Sequence, residues 1–168
     1  MELKSTLKKL ESSKEFKEWR KSNKDDYFSY AISTIESNNQ TEWQLGYYNK
    51  KNDKLTTFMF DNGDIRISPE EEVFKRPDME VNKIDLKRLK LSFDFILKKI
   101  DNLLKNDYSK ELVIKKIIIL QNIEKFGNIW NVTCVSQSFN VINAKIDIEN
   151  GNVVEHKSAS IFEFKKSS

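Results

Sequence analysis

Apolar residues recur every three or four positions near the start of the chain, at Leu3, Leu7, Leu10, Phe16 and Trp19. This spacing places them on one face of an amphipathic helix, which we predict over residues 3–21. Ser12 and Ser13 fall inside that span and predict an interruption of the helix.

Between residues 27 and 67 the period of the apolar positions changes to two. Aromatic and β-branched residues dominate four segments, 27–35, 43–48, 55–60 and 65–67. Such alternation predicts strands. Asn62-Gly63 separates the last two and predicts a tight hairpin, because the mirror-image turn needs two residues at positive φ. Beyond them, Ser68 and Pro69 predict a one-turn helix over 68–74, whose acidic residues suit the positive end of the helix dipole.

The second half of the sequence follows the same order. Ser92 suits the N-cap of a second amphipathic helix over residues 93–105, whose apolar positions are Phe93, Ile96, Leu97, Ile100, Leu103 and Leu104. Further strands are predicted over 112–123, from Trp130 onward, over 139–148 and at Val153-Val154, with a turn at Asn150-Gly151. A helix over 112–123 stays open as an alternative, and the tail 157–168 is expected to add a last short element.

The two halves are related by a constant offset. Trp43 and Trp130 are separated by the same distance along the chain as Ile32 and Ile119. We therefore predict an α+β fold made of two tandem helix-plus-antiparallel-β-meander halves that pack as one body. The halves are residues 1–74 and 84–168, and a linker over 75–83 joins them. The helices should cover the apolar sheet face and leave the other face partly solvated.

A resemblance to a known family rests on residues near the end of the second half. Asn143-Ala-Lys-Ile-Asp-Ile-Glu-Asn-Gly-Asn-Val-Val154, preceded by the Trp130-Asn-Val strand, resembles the strand, acidic turn and strand that end PepSY-like, broadly cystatin-like, proteins. The resemblance covers residues 91–156, with an echo over 3–67. It implies a helix followed by a meander, a role in binding peptidases or other proteins, and no catalytic residues. The chain also resembles uncharacterised small archaeal proteins in Trp43-Gln-Leu-Gly-Tyr-Tyr-Asn and Glu71-Glu-Val-Phe-Lys.

Composition narrows the range of functions. Charged residues make up 33% of the chain and are interleaved to a net charge of +3, without the concentrated basic stripe typical of nucleic-acid binders. The single cysteine, Cys134, lies in a predicted strand and is expected to be buried and inert. The single histidine, His156, has no evident catalytic partner. We expect no catalytic residues, no cofactor and no metal site, and therefore no enzymatic activity.

The expected function is that of a non-catalytic protein- or peptide-binding module acting through a sheet face or edge. The candidate interaction surface is Tyr47, Tyr48, Lys50, Lys51 and Lys54. One alternative is an α+β protein that binds a small ligand. Another is single-stranded nucleic-acid binding, in which the tyrosines, with Phe58 and Phe60, stack bases beside the lysines. The partner is expected to be a protein or peptide, or a second copy in a homodimer, with no membrane contact. With no signal peptide or long apolar run, the expected location is cytoplasmic.

Overall fold

The computed structural model describes residues 2–72 and 80–161. Its helices are α1 (Leu3–Ser12), α2 (Lys14–Ser22) and α3 (Phe93–Asp107), with a 3-10 turn at Leu86–Arg88. Its strands are β1 (Tyr27–Glu36), β2 (Asn39–Gln40), β3 (Gln44–Asn49), β4 (Lys54–Asp61), β5 (Asp64–Ile67), β6 (Glu71–Glu72), β7 (Val113–Ile123), β8 (Gly127–Ser136), β9 (Asn140–Asp147) and β10 (Val153–Ser160).

Two serine caps determine where helices begin. Ser13 has extended backbone, which ends α1, and its Oγ accepts a hydrogen bond from the N–H of Phe16 at 3.1 Å, which starts α2. The predicted interruption is therefore confirmed. Ser92 caps α3 in the same way, since its Oγ accepts from the N–H of Phe95 at 3.2 Å.

In the described part of the chain, the strands form one antiparallel sheet in the order β10-β9-β8-β7-β1-β3-β4-β5. β2 pairs with β1, and β6 pairs with β4. The predicted strand over 112–123 is confirmed as β7, and the helical alternative is wrong. β1 and β7 lie side by side at the centre, where Ile32 is directly opposite Ile119. We call this β1–β7 pair the seam.

The helices cover one face of this sheet, and the main core lies between the helices and that face. Trp43 and Trp130 are buried there with ring centroids 5.9 Å apart, and Phe93 of α3 contacts both rings at 5.0 and 5.7 Å. Leu3, Leu7 and Leu10 of α1 belong to the same cluster of buried residues. The predicted α+β class, with a large antiparallel sheet, is thus confirmed. No helix in the described chain is long and apolar enough to cross a membrane.

The predicted one-turn helix over 68–74 is wrong across its described residues. Glu71 and Glu72 form β6 against Leu55 and Lys54, so the segment is extended. The hydroxyl of Ser68 accepts from the N–H of Thr57 at 2.9 Å instead of capping a helix. Pairing with β4 satisfies backbone groups that an isolated single turn would leave to water, because helix nucleation is unfavourable. Residues 73 and 74 of that prediction lie outside the described residues.

The predicted linker 75–83 is described over 80–83, while 75–79 lie outside the described residues. Residues 80–85, which we call the connector, run past the end of the sheet where β1 begins and β7 ends. The Ile84 N–H donates to the Phe28 carbonyl at 3.0 Å, and the Asn122 side-chain amide donates to the Lys83 carbonyl at 2.7 Å. The connector therefore passes from the helix-free face of the sheet toward the core, where Ile84 is buried.

Candidate functional site

The face of the sheet that the helices leave uncovered is mapped by strand register. Ala31, Ile118 and Leu120 point into the core. Because successive side chains along a strand point to opposite faces, Ile32 and Ile119 point to the helix-free face. The same alternation places Ile117 and Ile123 there, and all four isoleucines are half-buried. We call Ile32, Ile117, Ile119 and Ile123 the isoleucine strip.

A groove of about 490 Å³ lies on this face, beside the strip. Ile32, Ile119 and Ile123 contribute its apolar lining, and residues 80–82 of the connector form one side. The Tyr27 hydroxyl holds that side in place by donating to the Val81 carbonyl at 2.7 Å. We call this feature the seam groove.

Polar groups lie among the apolar lining of the seam groove. Gln44 and Gln121 both line it, and neither side chain forms a hydrogen bond within residues 2–72 and 80–161. Gln121 is opposite Tyr30 in the register of β7 and β1, and Gln44 is opposite Ile32 in that of β3 and β1. The groove thus offers carboxamide donors and acceptors next to aliphatic surface.

Tyr30 lies across the groove because its neighbour on β3 is glycine. A Cβ atom at Gly46 would come within 1.9 Å of the Tyr30 ring, so the ring occupies the space of the missing side chain. The Tyr30 hydroxyl is 2.8 Å from the Thr57 Oγ1. Burial raises the pKa of Tyr30; the Thr57 hydrogen bond opposes this rise and the charge of Glu71 adds to it. The Tyr30 hydroxyl is therefore neutral at physiological pH and can donate or accept a hydrogen bond.

A second cavity, of about 460 Å³, adjoins the seam groove, and Gln44 lines both. Glu42, Met59 and Asp61 also line this second space, which we call the acidic cavity. Asp61 forms an ion pair with Arg66 at 2.5 Å. Glu42 differs, because its Oε2 atom is buried and has no hydrogen-bond partner in the described chain.

The two tyrosines of the predicted interaction surface are buried, each only 3% exposed. Tyr47 points into the core against Phe16 and Phe58, and burial raises its pKa. Tyr48 points to the other face, where its hydroxyl donates to Asp53 at 2.5 Å and its ring packs on Tyr27. The expectation of an exposed tyrosine pair is therefore corrected.

The three lysines of that surface are exposed to different degrees, and each has a carboxylate partner. Lys50 pairs with Glu80 at 3.3 Å, Lys51 with Asp25 at 2.5 Å and Lys54 with Glu70 at 3.3 Å. The hydrogen bond and charge of Lys51 hold the pKa of Asp25 below its usual range. The structure thus brings the lysines to one turn but separates them from any aromatic platform.

Sequence reasoning missed the seam groove. Ile117, Ile118 and Ile119 are consecutive, so the pattern in β7 does not say which face is covered. A signal was present in Gly46, since an isolated glycine in a strand often marks close approach of another group. Its partner, Tyr30, becomes evident only from the strand register.

Two residues with reactive side chains, Cys134 and His156, lie outside the seam groove and the acidic cavity. The prediction that Cys134 is buried is confirmed, and burial raises the pKa of its thiol to about 11. The Nδ1 of His156 is 2.7 Å from the Tyr108 hydroxyl at the end of α3. Among the described residues, no group of three or more His, Cys, Asp or Glu side chains is placed to hold a metal ion.

Comparison with known proteins adds information about the fold. No protein-family model matches the sequence, and no curated protein matches it. The crystal structure of a "putative lipoprotein" from Clostridium difficile 630 is similar, with a TM-score of 0.56 and 11% sequence identity. The match covers 86% of this chain and 90% of that chain. At this identity the similarity shows a shared α+β fold and carries no functional information.

Proposed function

We propose that this chain is a non-catalytic binding protein that holds a protein or peptide segment on the helix-free face of its sheet. The observation that carries the proposal is the isoleucine strip, four half-buried aliphatic side chains at the centre of a wide sheet with no described helix above them. Apolar surface gathered in one place on a sheet face is typical of an interaction site. The buried, unpaired Cys134 suits the cytoplasmic location that the proposal retains.

The size of the strip sets the strength of such binding. Completing the burial of a half-buried isoleucine contributes about 1 kcal/mol, taking roughly half the value for a fully buried side chain. The strip alone would therefore not offset the loss of translational and rotational freedom on association. The free carboxamides of Gln44 and Gln121 supply the additional hydrogen bonds that an extended segment offers along its backbone.

A small ligand is the second candidate for the same groove. Its volume of about 490 Å³ is typical of a small-molecule site, and the connector closes one side. Nucleic-acid binding is less well supported, because Tyr47, Tyr48 and Phe58 are buried and the three nearby lysines are paired with carboxylates.

The test begins with peptides selected from a random phage-displayed library on the immobilised full chain. Fluorescence anisotropy then measures their affinity for the wild type and for Ile119→Thr, which keeps β-branching but removes apolar surface. We expect a loss of about tenfold or more, equivalent to about 1.4 kcal/mol. Val154→Thr on β10, an exposed apolar residue outside the groove, is the matched control and should not change the affinity.

Failure to enrich any peptide, or equal affinity of wild type and Ile119→Thr, would overturn the peptide proposal. Native mass spectrometry of the purified chain distinguishes the second candidate, because a bound metabolite that Ile119→Thr releases would indicate a small-ligand site. Size-exclusion chromatography with light scattering measures whether a second copy is the occupant.

We also propose that the two halves arose by internal duplication of a PepSY-like unit. The strand register supports this, because Ile32 pairs with Ile119, its counterpart at the offset that relates Trp43 to Trp130. A two-fold relation between the halves would place this pair on its axis and bring the tryptophans together, as their 5.9 Å contact does. Superposition of β1, β3 and β4 on β7, β8 and β9 at that offset tests the relation.

A further inference from the structure

We infer that the segment held on the isoleucine strip carries a lysine or arginine side chain, which enters the acidic cavity beside Glu42. This inference rests on the proposed function and specifies the chemistry of the partner: a basic residue close to branched aliphatic residues. Three features of the helix-free face support it, namely an unpaired carboxylate, the continuity of the two cavities and the balance of charge around them.

The carboxylate is that of Glu42. Its Oε2 atom is buried without a hydrogen bond, and Glu42 has no ion pair within residues 2–72 and 80–161. A carboxyl oxygen removed from water without a hydrogen-bond partner raises the free energy of the folded chain. A cationic group in the cavity that Glu42 lines would offset that cost, and a bidentate guanidinium or a lysine ammonium supplies the required donors.

The continuity comes from Gln44, which lines both the seam groove and the acidic cavity. β3 is adjacent to β1, a spacing of about 4.8 Å, and Glu42 precedes Gln44 by two residues, about 6.6 Å along an extended chain. The Cα atom of Glu42 therefore lies roughly 8 Å from that of Ile32 on β1. An extended ligand covers that distance in two or three residues, which sets the expected spacing between the aliphatic anchor and the basic residue.

The charges along β4 on the helix-free face also favour a cation. Among the described residues, Arg66, which lines the acidic cavity, pairs with Asp61, and Lys54 at the start of β4 pairs with Glu70. Glu71 has no ion pair in the described chain, and it is opposite Leu55, which lines the seam groove. Glu42 at the acidic cavity and Glu71 at the other end of β4 thus leave the helix-free face with two carboxylates that have no ion pair in the described chain, which disfavours an acidic partner.

The test uses two dye-labelled peptides that differ at one position. Both carry three alternating valines, and the third residue after the last valine is lysine in one and glutamine in the other. Fluorescence anisotropy with the full wild-type chain should give at least tenfold tighter binding of the lysine peptide. Glu42→Gln, which keeps the shape of the side chain and removes its charge, should make the two affinities equal. Glu15→Gln on α2, an exposed carboxylate on the helix side, is the control and should preserve the preference.

Ile119→Thr separates this inference from the proposed function. If the strip binds the valines, this variant weakens both peptides by the same factor. A lysine preference that persists in both Glu42→Gln and Glu42→Ala would overturn the role of Glu42 and leave the strip intact. Absence of binding of both peptides to the wild type would overturn the proposed function itself. Thermal unfolding of each variant identifies losses that arise from misfolding.

Discussion

Gly46→Ala tests the structural basis of the groove, because this glycine makes room for the Tyr30 ring. An added Cβ would lie 1.9 Å from Cε1 and 2.3 Å from Cδ1 of that ring. Carbon atoms prefer separations of at least about 3.5 Å, so the ring must move by about 1.5 Å. Such a movement would break the 2.8 Å contact between the Tyr30 hydroxyl and Thr57. The substitution should therefore disturb both stability and the shape of the groove.

The expected loss of stability combines three effects. Overpacking costs about 1–3 kcal/mol, and the lost hydrogen bond about 1 kcal/mol. Replacing glycine by alanine restricts the unfolded chain and returns about 0.4–1 kcal/mol, because the conformation of Gly46 does not require positive φ. The net decrease in the free energy of unfolding should be about 2 kcal/mol.

Urea denaturation followed by tryptophan fluorescence measures this decrease. The decisive comparison is the same substitution in a Tyr30→Ala chain, where no ring opposes the new methyl group. There Gly46→Ala should be neutral, or stabilising by up to about 1 kcal/mol. A cost that is equal in the two backgrounds, or below about 0.5 kcal/mol in the wild type, would refute the steric relation between these residues.

Three further predictions concern the helix cap, the core and the thiol. Ser92→Ala should lower the free energy of unfolding by about 1 kcal/mol because α3 loses its cap; in the same urea assay, Ser12→Ala, which removes no cap, should change it by less than about 0.5 kcal/mol. Trp43→Ala and Trp130→Ala should each cost about 3–5 kcal/mol, and a loss below about 1 kcal/mol would contradict their place in the core. For Cys134, the unfolded thiol ionises near pH 9 and the folded one near pH 11, so its contribution to stability should fall as pH rises through this window. Wild type should therefore lose stability relative to Cys134→Ala between those values, and parallel pH profiles would exclude the effect.

Local features of the sequence were predicted where a few neighbouring residues decide the outcome. The helix break at Ser13 and the start of α3 after Ser92 each depend on a serine hydroxyl and an N–H three residues later. The turn at Asn62-Gly63 depends on two residues that tolerate positive φ, with values of 51° and 96°. The helix predicted after Ser68 failed because β4 offered its backbone partners from a distant part of the chain.

The interaction surface predicted from the sequence shows where such reasoning ends. Tyr47 and Tyr48 are adjacent, so one was bound to point to each face. Each is buried by a different set of groups: α2 covers Tyr47, whereas Tyr27 and Asp53 cover Tyr48. The alternation of the two side chains can be predicted from the sequence. Which groups cover each face is decided only by the tertiary structure.

The sequence by itself determined α1, α2 and α3, most strands and the tight turns, because helix capping and turn formation depend on residues that are close together in the chain. Tertiary structure alone decided that β1 pairs with β7 and that Ile32 lies opposite Ile119. That pairing depends on the fit of the whole core, in which Trp43, Trp130 and Phe93 contact one another across both halves. The seam groove and the acidic cavity exist because of this register. A shift of the strand pairing by one residue would point the side chains of the isoleucine strip toward the core.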